Sequence, residues 1–224
     1  ILRRTQGRSV NFHGNIDNHR NEYKNVRAMF RAMAEAMMLI VAAPGVPAVE
    51  KLRLMGIRGR DDRELERTQK FPWSAIGRVN VRGRGVGFCT GTLIAPSTVL
   101  TAAHCFWNKQ TRRWANPSSI DYLAAYSLSR YLAHLKVKSY RLSDPNLPNL
   151  AAIKKDFRKD WAIPGLEKPV GDKVGFLPML ALKTTKIAQA GYSKDKPHAL
   201  TVNETCSITG RRDPMLHHDC DATF

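Results

Sequence analysis

His104 is the residue whose surroundings point most directly to chemistry. It closes the segment Gly91-Thr92-Leu93-Ile94-Ala95-Pro96-Ser97-Thr98-Val99-Leu100-Thr101-Ala102-Ala103-His104-Cys105, an apolar, β-branched run that ends in small residues, a histidine and a cysteine. Imidazole titrates near neutral pH, so it is the side chain best suited to take up and return a proton. A lone histidine beside apolar residues is ordinarily a packed or surface group, and the setting is what singles this one out. Thr101, Ala102 and Ala103 are small and leave room around the ring. A general base must also hold hydrogen-bond distance to its nucleophile. A bridge between Cys105 and Cys89, on the preceding strand, would hold the His104 turn in place.

Four cysteines permit three disulfide connectivities. The pairs Cys89/Cys105 and Cys206/Cys220 each enclose a short stretch. No Cys-x-x-Cys occurs, which argues against a zinc ribbon or a thioredoxin-type site. An even count with short loops suits an oxidising compartment. His217, His218, Asp219 and His198 lack a ligand spacing such as His-Glu-x-x-His, so no metal site is expected from them. Asn203-Glu204-Thr205 matches the glycosylation pattern, which is frequent by chance.

The Thr101–Cys105 motif, with the apolar strand before it, closely resembles the region around the catalytic histidine of trypsin-like (chymotrypsin-family) serine proteases. The resemblance covers roughly residues 70–224. It implies that His104 is the general base of a Ser-His-Asp triad, taking the serine proton and later giving it to the leaving amine. Lys155-Asp156-Phe157-Arg158-Lys159-Asp160-Trp161-Ala162-Ile163 resembles the family's aspartate followed by apolar-Ala-apolar. Asp160 is the matching acid, with Asp156 and Asp144 as alternatives; Asp144 lies in a Pro-rich turn and reads as a turn residue. The family's strand usually continues apolar from there, whereas Pro164-Gly165 intervene here. Proline removes a ladder donor, so the local register is open to change.

The family's serine lies in Gly-Asp-Ser-Gly, and this chain contains no such string. Ser193 and Ser207 have the wrong neighbours, and Ser127 and Ser129 precede the acid. His218-Asp219-Cys220-Asp221-Ala222-Thr223-Phe224 resembles the run that leads into that motif, especially in bacterial secreted members. The resemblance thus implies a chain truncated before its nucleophile, with Cys206 and Cys220 as the second bridge. It also implies that Asp221 forms the floor of the primary specificity pocket, where an acid selects Arg or Lys. No Ile-Val-Gly-Gly string precedes Pro72-Trp73, so activation by insertion of a new amino terminus is not expected.

These residues need a scaffold of strands. Ala75–Arg82 alternates with period two, Val86–Ile94 is rich in Gly, Thr and β-branched residues, and Thr98–Thr101 follows a Pro-Ser turn. Tyr122–Ala125, Leu135–Leu142, Asp160–Leu166, Lys173–Leu180, Lys186–Gly191 and Cys206–Thr209 read as further strands, although Tyr122–Leu135 reads equally well as a helix. Short strands with tight turns suggest an all-β barrel. The resemblance implies a double β-barrel of chymotrypsin type, the second barrel incomplete in this fragment. Upstream, residues 1–28 read as sequence outside the domain. Residues 29–48 read as a signal peptide, with an amphipathic helix over Val26–Val41 as the alternative. Residues 49–70 read as a linker or pro-segment with a short turn of helix at Asp61–Thr68, and 71–224 as the protease domain.

The chain has 224 residues, enough for a sizeable core, and a formal net charge of +17. The excess is diffuse: residues 1–56 hold 9 Lys/Arg against 4 Asp/Glu, and residues 57–224 hold 27 against 15. Arg78/Arg82/Arg84, Arg112/Arg113 and Arg211/Arg212 form neither a helical stripe nor an aromatic-interleaved groove, so nucleic acid is not expected as a partner. The expected partners are protein or peptide substrates. The apolar core of residues 29–48 is too short for a membrane span. No cofactor is implied. The expectation is a secreted or periplasmic, monomeric serine endopeptidase whose fragment lacks the nucleophile. The alternative is a catalytically inactive, protease-like binding module.

Overall fold

The alternation in Ile76–Val81 produces β2, in which Val79 and Val81 are buried and Arg78 and Asn80 are half-buried. The computed structural model describes residues 54–83 and 87–223. The expected upstream sequence (1–28), signal peptide (29–48) and Val26–Val41 helix lie outside the described residues. The described strands are β1 (Glu64–Glu66), β2, β3 (Phe88–Ala95), β4 (Thr98–Leu100), β5 (Trp107–Asn108), β6 (Arg113–Trp114), β7 (Ile120–Ala124), β8 (Ala133–Leu142), β9 (Ala162–Leu166), β10 (Lys186–Gly191), β11 (Leu200–Arg212) and β12 (Met215–His218). Two short helices, α1 (Leu150–Lys155) and α2 (Gly171–Val174), complete the elements used below.

The all-β, two-barrel architecture expected from the sequence holds. Six antiparallel strands close a barrel in the order β2-β3-β4-β9-β8-β7. Its interior holds Val79, Leu93, Val99, Ile120, Tyr122 and Val137, each almost fully removed from water. The second sheet has four strands, β1-β11-β10 with β12 paired to β11, and is open among the described residues. A second cluster of Ile76, Leu123, Tyr126, Tyr192, Leu200 and Val202 joins barrel to sheet. Burial on both sides of that seam is the apolar contribution that holds the two together.

Close packing makes Gly77 necessary. A Cβ there would lie 2.5 Å from the Tyr122 ring and 2.6 Å from the Leu123 carbonyl oxygen. Tyr122 is buried, and its hydroxyl donates to the Ala75 carbonyl at 3.1 Å, so the ring has little freedom to retreat. Gly77→Ala is expected to destabilise the fold by about 1–3 kcal/mol through overpacking. Urea unfolding checks this, and an unchanged midpoint would mean that the ring gives way.

Several local expectations need correction. The helical alternative for Tyr122–Leu135 gives way to β7, a turn and β8, because Ala125, Leu128 and Ser129 take positive φ values of 53°, 47° and 67°. Asp61–Thr68 is not a turn of helix: Glu64–Glu66 forms a strand whose Leu65 pairs with Thr201. A segment read as linker or pro-segment thus contributes an edge strand, which the exposed backbone of β11 supplies with partners. Lys173–Leu180 is not a strand either. Its first residues belong to α2, Gly175 turns the chain at φ 81°, and Pro178 lacks an N–H. The Cys206–Thr209 strand is only the middle of the longer β11.

β9 runs through Pro164 without breaking. On its β4 side, Ala162 N–H donates to Thr101 and Leu166 N–H donates to Ser97. Pro164 is in phase with those two residues, so its missing donor falls on the β4 side. On the other side β8 keeps its pairing, with Tyr140 opposite Pro164 and Arg141 opposite Ile163.

Candidate active site

His104 and Asp160 meet because β4 and β9 pair at their ends. Thr101 N–H donates to the Ala162 carbonyl at 3.0 Å, and Ala162 N–H returns the bond to Thr101 at 2.8 Å. This exchange sets the start of the His104 turn beside the residue that follows Asp160-Trp161. Beyond Thr101 the chain enters a 3-10 turn, Ala103–Phe106, whose Ala103, Cys105 and Phe106 are buried. A disulfide joins Cys105 to Cys89 on β3, with Cα atoms 6.2 Å apart. The turn is therefore held by core packing on one side and a covalent tie on the other.

Asp160 is fixed just as closely. It follows a 3-10 turn, Phe157–Lys159, that Asp156 caps by accepting the Arg158 N–H. Ser143 braces the peptides on both sides: its hydroxyl donates to the Lys159 carbonyl at 2.6 Å, and its N–H donates to the Trp161 carbonyl at 3.1 Å.

The Asp160 carboxylate accepts two hydrogen bonds from His104. The main-chain N–H reaches Oδ1 at 2.9 Å, and the ring Nδ1 reaches Oδ2 at 2.7 Å. One bond places the residue and the other orients its ring. An ionised carboxylate can only accept, so Nδ1 carries the proton and Nε2 is left with a free lone pair. Burial opposes ionisation of Asp160, but the hydrogen bonds from His104 outweigh it and hold the carboxyl below its ordinary value. The His104 side chain is 45% exposed.

The remaining candidates separate clearly. Asp156 spends its carboxylate on the Arg158 backbone and guanidinium, and Asp144 on the Asn146 N–H and the Lys159 ammonium. Neither is bonded to His104. The Cys206–Cys220 disulfide is present, with Cα atoms 4.8 Å apart. Asp221 is bonded to main-chain amides. It is 4% exposed, and its two oxygens accept the N–H groups of Arg58 at 2.8 Å and Asp62 at 3.1 Å. Its carboxylate ties residues 58–62 to the segment after β12, which satisfies a buried charge without any ligand.

Ser193 and Ser207 are bonded to other side chains. Ser193 is buried with its hydroxyl on Thr201, and Ser207 accepts from the Lys186 ammonium. The histidine group is dispersed: His198 pairs with the Tyr126 hydroxyl, His218 Nδ1 accepts the Cys220 N–H, and Asp219 accepts the Ser207 N–H. Cys89, His104 and Cys105 have potential ligand atoms within 4.8 Å of one another. The two sulfurs are bonded to each other, so neither is a thiolate able to hold a metal. Asn203 is buried and its side chain accepts the Thr205 N–H, which leaves it out of reach of a glycan.

Sequence reasoning missed the residues that position the dyad from outside it. Ser143 is one. Thr90 is another: its carbonyl accepts the Thr101 hydroxyl at 2.8 Å, and its own hydroxyl accepts the Tyr192 N–H at 2.9 Å. Thr90 thereby links the strand before His104 to the second sheet. A threonine in a β-branched strand carries no signal that would mark such a role.

Comparison with known proteins agrees with this geometry. A family model described as Trypsin matches residues 62–214. A glutamyl endopeptidase of Bacillus licheniformis is 26% identical over 155 residues, covering 67% of this chain and 46% of the relative. The chain thus spans about half the length of that curated relative. Among solved structures, a Glu endopeptidase in complex with MPD superposes with a TM-score of 0.61 at 22% identity, covering 75% of this chain and 77% of the other. A scabies mite inactivated protease paralogue, S-D1, gives a TM-score of 0.48 at 15% identity, covering 68% and 63%. A match over more than half the chain, on a closed barrel that joins a histidine to an aspartate, places this protein in the trypsin family of chymotrypsin-like serine proteases.

Proposed function

We propose that the chain is part of a secreted or periplasmic serine endopeptidase, with His104 as general base, Asp160 as its orienting acid and a nucleophilic serine beyond Phe224. The observation that carries this reading is the two-point bond between Asp160 and His104. In the proposed reaction the serine hydroxyl gives its proton to His104 Nε2 as its oxygen attacks the scissile carbonyl. His104 then passes that proton to the leaving amine. Asp160 keeps the ring in the productive tautomer and stabilises the imidazolium as it forms.

Two disulfides support the oxidising location. Among the described residues no helix is long and apolar enough to cross a membrane. Residues 29–48 act as the export signal in this reading, and the protein works as a monomer on protein or peptide substrates. With both Asp221 oxygens committed to backbone amides, the expected selection for Arg or Lys loses its acid. The similarity to a glutamyl endopeptidase favours cleavage after Glu instead.

Labelling with a fluorophosphonate tests the reading. A form extended beyond Phe224 is expected to react covalently, and its His104→Ala variant is expected to lose the label. Absence of His104-dependent labelling, or a glycine or alanine in place of the serine downstream, would favour the inactive binding module. Peptides that differ only in Glu or Arg before the scissile bond test the preference.

A further inference from the structure

Two basic clusters that lie about thirty residues apart in sequence meet on one face of the first barrel. Arg82 follows β2, and Arg113 lies on β6, the second arm of the small hairpin that begins three residues after His104. Asn108 draws them together, since its side-chain amide donates to the Gly83 carbonyl at 3.1 Å. The result is a groove of about 450 Å³ lined by both arginines and by Asn108, Thr111, Trp114 and Ser119 among others. None of its described lining residues is acidic.

The walls differ in chemistry in a way that narrows the ligand. Arg82 is 62% exposed, and its Nη2 donates to the Ser118 carbonyl, which anchors the guanidinium. Asp121 lies 3.7 Å from Arg82 Nε, but it is nearly buried and also engages Lys136 and His134. The Trp114 indole donates to the Leu147 carbonyl at 3.0 Å and packs edge-on against Trp107, so its ring is held still in the groove wall. A fixed aromatic surface accepts the apolar face of a sugar ring. Amide and hydroxyl side chains match ring hydroxyls, and guanidinium groups match carboxylate or sulfate oxygens.

A second groove of about 480 Å³ shares Asn116 with the first and carries Lys136 and Lys138, with Glu167 as its acid. The two grooves adjoin at Asn116.

We propose that this face binds an acidic polysaccharide, one bearing sulfate or carboxylate groups along its chain. Diffuse positive charge alone would attract any polyanion weakly and without a preferred place. The proposal requires instead that binding depend on Arg82 and Arg113.

Fluorescence anisotropy with a labelled heparin hexasaccharide tests it at fixed ionic strength, using the whole chain. Saturable binding is expected. Replacing both arginines by alanine is expected to weaken it about tenfold, the scale of two exposed but convergent charge contacts. Replacing Lys154 and Lys155 on α1, both exposed, removes the same net charge and is expected to change affinity less than about twofold. Arg113→Glu alone provides a second variant that leaves the Arg82 anchor intact, and it too is expected to weaken binding. Equal loss from the arginine and lysine pairs, or no saturable binding, would overturn the proposal. Polyphosphate of matched charge is expected to bind more weakly than the hexasaccharide. Equal affinity would show that charge alone is recognised and would also overturn it.

Discussion

Asp160→Asn, introduced into a form that carries the nucleophile, is expected to lower kcat about 10⁴-fold while leaving the fold intact. The geometry explains why so small a change has so large an effect. Asp160 Oδ1 accepts the His104 main-chain N–H and Oδ2 accepts Nδ1–H. An asparagine can satisfy only the first bond as an acceptor; its NH2 then faces Nδ1 and favours the tautomer with the proton on Nε2. That tautomer has no lone pair to receive the serine proton. Substrate contacts are untouched, so KM should move little and the loss should fall on kcat. Steady-state hydrolysis of a peptide substrate measures both. A loss below about tenfold would mean that the dyad is structural. Because hydrogen bonds hold the Asp160 carboxyl below 3.8 despite its burial, its own protonation should not limit activity in the neutral range.

Arg63→Met is expected to destabilise the protein by about 3–5 kcal/mol, the usual effect of removing one partner from a buried ion pair. The Arg63 side chain is 1% exposed and bonds both Asp61 and Asp195, with Nη1 and Nη2 on Asp195 at 2.9 and 2.8 Å. Asp195 in turn engages Thr223, and Ala222 N–H donates to the Gly56 carbonyl at 3.1 Å. With Asp221 on the Arg58 and Asp62 amides, the network clasps the segment before β1 to the segment after β12. Its loss should therefore loosen both. Hydrogen bonds from Arg63 hold Asp61 and Asp195 well below the usual carboxylate range. Carboxyls depressed in this way stabilise the fold above their unfolded value, and that stabilisation is lost as pH falls through the folded values. The gap between native protein and variant should stay constant from about pH 7 to pH 5 and narrow below about pH 4. Urea midpoints across that range check both size and direction; a gap that widens in acid would show that the clasp is not ionic.

The elements that were legible in the sequence share one property: their signal is local. β2, β3, β4 and β10 show their alternation or β-branching within a few residues, and the His104 motif sits at the end of one of them. The failures share the opposite property. β1 carries charged residues at Glu64 and Glu66 and forms a strand only because β11 offers its edge. The Tyr122–Leu135 ambiguity is resolved by backbone at Ala125, Leu128 and Ser129, of which only Ser129 is a residue type favoured in turns. The partners of Asp221 are equally remote, since only the return of residues 58–62 to its side supplies the amides it accepts.

The sequence by itself determined the family, the two-barrel fold, His104 and Asp160 as the candidate base and acid, and two short-loop cysteine pairs. Each of these is encoded in residue types and spacing over a short stretch. The tertiary structure decided which contacts those residues make. It bonded Asp160, and neither Asp156 nor Asp144, to His104, set Asp221 on the Arg58 and Asp62 amides, and gathered Arg82 and Arg113 into one groove. Such decisions depend on pairings between residues far apart in the chain, where barrel closure sets distance and no local pattern records the partner.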